Sequence, residues 1–158
     1  MHEAVQAIAA TGVSPIVRVA ADEGWMVKRA LDCGAHGIIV PLLRTQADAQ
    51  KIVRAAKFPP LGIRGFGSPF SMGAFTAAGG NMPTSIEYLK QANDSLLTII
   101  QIETREALEN VNAIAGTEGV DVSARPMKEP VPYLLTRNRY YLSAPSTWAT
   151  GNRVDVGP

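Results

Sequence analysis

Apolar and polar positions alternate between two rhythms through the first three quarters of this chain. MHEAVQAIAATG has helical spacing and is closed by Gly12; SPIVRV, Ser14 to Val19, reads as a short strand. Asp22 is placed to cap a helix through Val27, Ala30 and Leu31 that ends at Gly34. GIIVPL, Gly37 to Leu42, is apolar throughout and predicts a buried strand. Thr45 and Asp48 have capping-box spacing ahead of a helix carrying Ile52, Val53 and Ala56. Pro59 and Pro60 stop that helix, and LGIRG, Leu61 to Gly65, reads as the next strand. A long loop, Phe66 to Pro83, leads to a second capping box at Thr84 and Glu87, with Ile86 and Leu89 in its helix. LLTIIQIE follows, then a helix capped by Thr104, and GVDV, Gly119 to Val122, begins another strand.

Strands alternating with helices imply parallel pairing through right-handed crossovers. The expected fold class is α/β, with four clear strands and the start of a fifth. LLTIIQIETREA, Leu96 to Ala107, is the most pointed segment. Alternation puts Leu97, Ile99, Gln101 and Glu103 on one face, so an amide and a carboxylate share the carboxyl end of an otherwise apolar strand. That end is where ligands bind in α/β folds. Arg64, in GIRGFG, is flanked by glycines that let backbone approach a ligand, and an arginine there can clamp a carboxylate or hold an enolate oxygen. GIRGFG matches neither phosphate-binding glycine pattern.

Composition narrows the class. The chain has 158 residues, is 46% hydrophobic and carries a formal charge of +1, so it can bury one core and lacks a concentrated basic face for nucleic acid. The single cysteine, Cys33, excludes an internal disulfide, suits a reducing compartment and reads as a small buried hydrophobe. No apolar run approaches the roughly 20 residues of a membrane span, and the start lacks signal-peptide character, so a cytoplasmic protein is expected. The pattern breaks at Val122–Ser123. The remaining stretch holds five of the 11 prolines and five basic against two acidic residues. It predicts residues 1–122 as the folded domain and 123–158 as a proline-rich basic tail without stable structure, Pro126, Pro130 and Pro132 barring a central strand. Its basic and aromatic residues, among them Arg137, Arg139 and Trp148, are too sparse for an RNA-binding face.

VRVAADEG, ALDCGAHGIIVP, PPLGIRG and QIETREA in this order resemble the HpcH/HpaI aldolase (citrate-lyase-like) family over about Val5 to Val122. The resemblance implies part of a (β/α)8 TIM barrel, four to five of its eight strands, truncated at both ends. It implies a class II aldolase that binds a 2-oxo acid through a divalent metal, Mg²⁺ or Mn²⁺, and cleaves a 4-hydroxy-2-oxo acid to pyruvate and an aldehyde. It also implies a homo-oligomer in the complete protein. It puts the metal-binding glutamate on Glu103, the substrate-contacting glutamine on Gln101, and the arginine that holds the oxo group and enolate on Arg64. A Lewis acid and a cation are what an enolate needs.

The departures are as specific. The family's second metal carboxylate belongs to a GPxDL-type segment after GVDV, where this chain reads SARPMKEP. The family's base histidine lies in a DxEH segment upstream of Met1. His2 reads as an exposed terminal residue, and His36 and Asp121 begin strands and face the opposite end. Arg64, Gln101 and Glu103 are expected together at one end of adjacent strands. A catalytically inactive product, or an assembly or binding fragment, is the alternative.

Overall fold

The computed structural model describes residues 1–75, 81–126 and 140–143. The first four strands, β1 (Ile16–Arg18), β2 (Gly37–Val40), β3 (Leu97–Gln101) and β4 (Val122–Pro126), are parallel and hydrogen-bonded in chain order. Helices α1 (His2–Ala10), α2 (Gly24–Asp32), α3 (Gln46–Ala56), α4 (Phe70–Gly73), α5 (Ser85–Ser95), α6 (Arg105–Glu109) and α7 (Val111–Ala115) precede and connect them. Among the described residues no helix is long and apolar enough to cross a membrane.

Strand alternation produces two unlike faces. Ile38, Val40 and Ile100 are buried with Val27, Ala30 and Leu31 of α2 and Ile52 and Val53 of α3. Arg18, Ile39, Leu97, Ile99 and Gln101 lie on the other face, where Ile39, Leu97 and Ile99 keep part of their surface in solvent. The continuous GIIVPL run is therefore not buried on both faces: its strand stops at Val40, and Leu42 turns out exposed. Both capping boxes form, Thr45 with Asp48 and Thr84 with Glu87. α2, by contrast, starts at Glu23 without a side-chain cap, so Asp22 does not play that part. Asn110 divides the expected helix after β3 into α6 and α7.

LGIRG is not a strand. Gly62 N donates to Phe58 O (3.1 Å), Ile63 N to Arg54 O (2.7 Å) and Arg64 N to Lys57 O (3.0 Å). The segment folds back on the end of α3 and satisfies carbonyls that a helix terminus leaves open, which removes its donors from any sheet. β2 consequently pairs with β3 directly.

Beyond Val122 the described backbone departs from a simple end of the sheet. β4 runs to Pro126, and β5 (Tyr140–Ser143) adds antiparallel to it. Proline is tolerated there because β3 pairs with β4 only as far as Ala124, so Pro126 owes β3 no hydrogen bond. The other residues of the expected tail, 127–139 and 144–158, lie outside the described set, as do Arg137, Arg139 and Trp148.

Lys57 ties the amino-terminal side of the sheet together. It is 2% exposed, and its Nζ donates to Asn93 O (2.6 Å) and Leu96 O (2.8 Å) at the end of α5, with Asp121 at 3.8 Å. Burial holds its pKa below the ordinary 10.5, against the pull of Asp121. Between the folded-state pKa and 10.5 the unfolded chain keeps a proton the folded chain has released, so stability rises with pH across that window. Lys57→Met is expected to cost about 1–3 kcal/mol at neutral pH, the penalty for stranding buried acceptors. Urea midpoints should show the gap between wild type and variant widening as pH rises through the window; a gap that closes would contradict it.

Candidate functional site at the carboxyl end of β3

β3 ends in Gln101, which is 4% exposed. Its Oε1 accepts a 2.7 Å hydrogen bond from Nε of Arg18, the last residue of β1. The two side chains meet across β2 on the face away from the helices. Glu103 follows two residues on and is exposed; its Oε2 accepts from the backbone N–H of Leu42 at 3.3 Å. Leu42 sits just past β2 with φ +62°, a left-handed conformation that a leucine holds at a cost of about 1 kcal/mol or more. Thr104 then starts α6, its Oγ1 accepting from Ala107 N at 3.0 Å. An amide, a carboxylate, a guanidinium and an inward-turned backbone N–H thus gather at the carboxyl ends of three adjacent strands.

Arg64 is not with them. α2 carries the chain from the carboxyl end of β1 to the amino end of β2, and Asp32 is its last residue. Arg64 Nη2 bonds Asp32 Oδ1 at 3.0 Å, and Nη1 donates to the Tyr88 hydroxyl at 3.3 Å. The guanidinium carbon lies 4.6 Å from the centre of the Phe58 ring, and the residue is 4% exposed. The expected convergence of Arg64 with Gln101 and Glu103 is therefore corrected: because LGIRG packs on α3 rather than entering the sheet, its arginine faces the helices.

His36 and Asp121 take the amino end, as their positions ahead of strands require. His36 Nε2 lies 2.6 Å from Ala74 O and Nδ1 3.1 Å from Ser14 Oγ, and its ring stacks on Phe75 at 4.1 Å. Asp121 Oδ2 accepts from Thr98 N at 2.7 Å. His2 is half-buried rather than exposed, edge-on to Phe70 at 4.6 Å. Cys33 is also half-buried, less enclosed than a core residue.

Two contributors went unread in the sequence. Arg18 ends an apolar strand with a polar group, the same signal that marks Gln101. The left-handed turn at Leu42 has no sequence signal, because leucine does not favour it.

A divalent cation needs several oxygen ligands, and Mg²⁺ a near-octahedral set. Among the described residues no three His, Cys, Asp or Glu side chains are grouped to hold a metal. Glu103 supplies a single carboxylate, already taken up on one oxygen by Leu42 N–H. The residues described do not by themselves fit the metal.

Comparison with known proteins identifies the lineage. Residues 1–124 match the profile of the HpcH/HpaI aldolase/citrate lyase family. The 2-dehydro-3,6-dideoxy-6-sulfogluconate aldolase of Pseudomonas putida is 43% identical over 117 residues, 74% of this chain and 43% of that protein. The 4-hydroxy-2-oxo-heptane-1,7-dioate aldolase of Shigella flexneri is 39% identical over 117 residues, 74% of this chain and 42% of its own length. The crystal structure of an HpcH/HpaI aldolase from Desulfitobacterium hafniense DCB-2 superposes with a TM-score of 0.67 at 30% identity, over 79% of this chain and 46% of that one. The chain thus spans less than half the length of these relatives. The solved family members are TIM barrels, of which the four parallel strands form part, and the family is divalent-metal-dependent. The chain belongs to the HpcH/HpaI aldolase/citrate lyase family.

Proposed function

We propose that this chain carries part of the site of a carbon–carbon lyase that cleaves a 4-hydroxy-2-oxo acid to pyruvate and an aldehyde. The observation that supports this most is Gln101 at the carboxyl end of β3 with Glu103 two residues on, its carboxylate held by Leu42 N–H just past β2, in a chain of an aldolase family. In such a cleavage the 4-hydroxyl gives up its proton, the C3–C4 bond breaks, and its electron pair becomes the enolate of pyruvate, which is then protonated at C3. Gln101 is the substrate contact in this reading, and Glu103 is the one carboxylate that the resemblance gives to the family's Mg²⁺ or Mn²⁺, which would need further ligands beyond the described residues. The resemblance gives Arg64 the oxo and enolate oxygens, a role its guanidinium takes only by leaving Asp32. A homo-oligomer in the cytoplasm completes the reading.

The second reading is an inactive or binding fragment. It is favoured by the lack, among the described residues, of any group of three metal-ligating side chains, and by the two histidines of the chain, His36 being held at the amino end and His2 against Phe70. A positioned base is worth about 10²–10⁴ in rate. Turnover by the 158-residue chain is therefore expected near background when pyruvate release from 4-hydroxy-2-oxoheptanedioate is coupled to lactate dehydrogenase with Mn²⁺ present. A chain extended with the DxEH and GPxDL segments of the family should turn over and lose that activity on Glu103→Gln. An inactive extended chain would refute the lyase reading. Metal-stimulated release by the 158-residue chain, lost on Glu103→Gln, would refute its impairment.

A further inference from the structure

The outward side of α2 forms one wall of a groove of about 510 Å³. Val27, Ala30 and Leu31 turn the apolar side of that helix to the core. Trp25, Lys28, Arg29 and Asp32 are left on the other side, at the i, i+3, i+4 and i+7 spacing of one helix face, and line the groove. His2 of α1 and Phe70 of α4 line it as well. Ser68 Oγ donates to Asp32 O (2.7 Å), Gln6 Nε2 to Cys33 O (2.8 Å), and the His2 ring meets Phe70 edge-on at 4.6 Å. These contacts hold α1 and the chain ahead of α4 against the end of α2, so the groove is built before anything enters it.

Two features of the lining have no use in the fold. Trp25 is 61% and Phe70 56% exposed, so two large rings stay in water within one concavity. Charge is also left over. Lys28 is matched by Asp32 at 2.6 Å, and Asp32 is matched again by Arg64 at 3.0 Å. Arg29 is exposed, and among the described residues its side chain has no ion pair or hydrogen bond. A guanidinium takes a carboxylate through two parallel N–H donors, and planar rings stack on indole and phenyl faces.

We propose that this groove binds a small aromatic carboxylate, its ring against Trp25 and Phe70 and its carboxylate on Arg29. Cavities of roughly 300–1,000 Å³ are usual for ligands of that size. The groove lies on the helix side of the sheet and Gln101 on the opposite face, so this binding is separate from that of a 2-oxo acid.

The probe is 2-naphthoate, titrated into the ¹⁵N-labelled 158-residue chain and followed at the Trp25 indole N–H and the backbone amides of residues 28–33. A saturable shift is expected, with a Kd that excess pyruvate leaves unchanged. The neutral 2-naphthamide, of the same shape, should bind about tenfold more weakly. Arg29→Gln should raise the Kd for naphthoate about tenfold and leave that for the amide within twofold. Trp25→Leu, read at the backbone amides, should weaken both. Equal Kd values for acid and amide in wild type would mean an apolar groove only and would overturn the inference, whether or not the variants fold. The absence of a saturable shift, or displacement by pyruvate, would overturn it as well. A shift of the Trp25 indole signal that grows with protein concentration alone would put a second copy of the chain in the groove, against the inference.

Discussion

Asp32→Ala is expected to cost the fold about 3–5 kcal/mol, the usual penalty for stranding a buried charge. The Arg64 side chain is 1% exposed. Its cation is balanced by Asp32, with Tyr88 and the Phe58 ring as neutral neighbours, and its Nε already lacks a hydrogen-bond partner. Removing the carboxylate leaves that cation buried without a counter-charge. Small domains are stable by only about 5–15 kcal/mol, so the loss is a large share. The reverse change, Arg64→Met, should cost less, because Asp32 keeps Lys28 at 2.6 Å. Lys28→Ala should cost less than about 1 kcal/mol, its side chain being 44% exposed. Urea unfolding of the three variants checks the order, and an unchanged midpoint for Asp32→Ala would contradict it.

Gly62→Ala is the second large effect. A Cβ at Gly62 would stand 2.2 Å from Lys57 O and 2.6 Å from Arg54 O. Those are backbone atoms of α3 and its C-cap, and Arg54 O and Lys57 O are the acceptors of Ile63 N and Arg64 N. The methyl cannot be accommodated by a side-chain rotation, so the return of PPLGIRG onto the helix must open. Overpacking alone costs about 1–3 kcal/mol, and the loss of two backbone hydrogen bonds and of the Arg64 pairing adds to it. Thermal unfolding should show a larger drop for Gly62→Ala than for Gly65→Ala, since a Cβ at Gly65 meets nothing within 4 Å. Equal drops would contradict the packing argument.

The elements that alternate cleanly were legible in the sequence. LLTIIQIE predicts β3 and the burial of Ile100 and Ile102, because a period of two leaves no freedom once one face is buried. The capping boxes at Thr45 and Thr84 are local chemistry and form as spaced. LGIRG misleads because its apolar residues are spaced as in a strand, while its backbone bonds go to carbonyls of α3 and its C-cap that no local pattern reveals. The misplacement of Arg64 follows from that one error. β5 was illegible for the opposite reason: YYLS, four residues, is too short to establish a period, and it lies in the stretch whose prolines argued against strands. Pairing between Arg18 and Gln101 spans 83 residues and depends on sheet register.

The central claim is that a 2-oxo acid binds at the carboxyl end of β3. A crystal of the 158-residue chain soaked in pyruvate tests it most directly. Pyruvate density is expected beside Gln101 and Glu103, with the Gln101 Nε2 within hydrogen-bond distance of a pyruvate oxygen and Oε1 still on Arg18. Density for pyruvate on Arg64 between Asp32 and Tyr88, with the end of β3 empty, would contradict it.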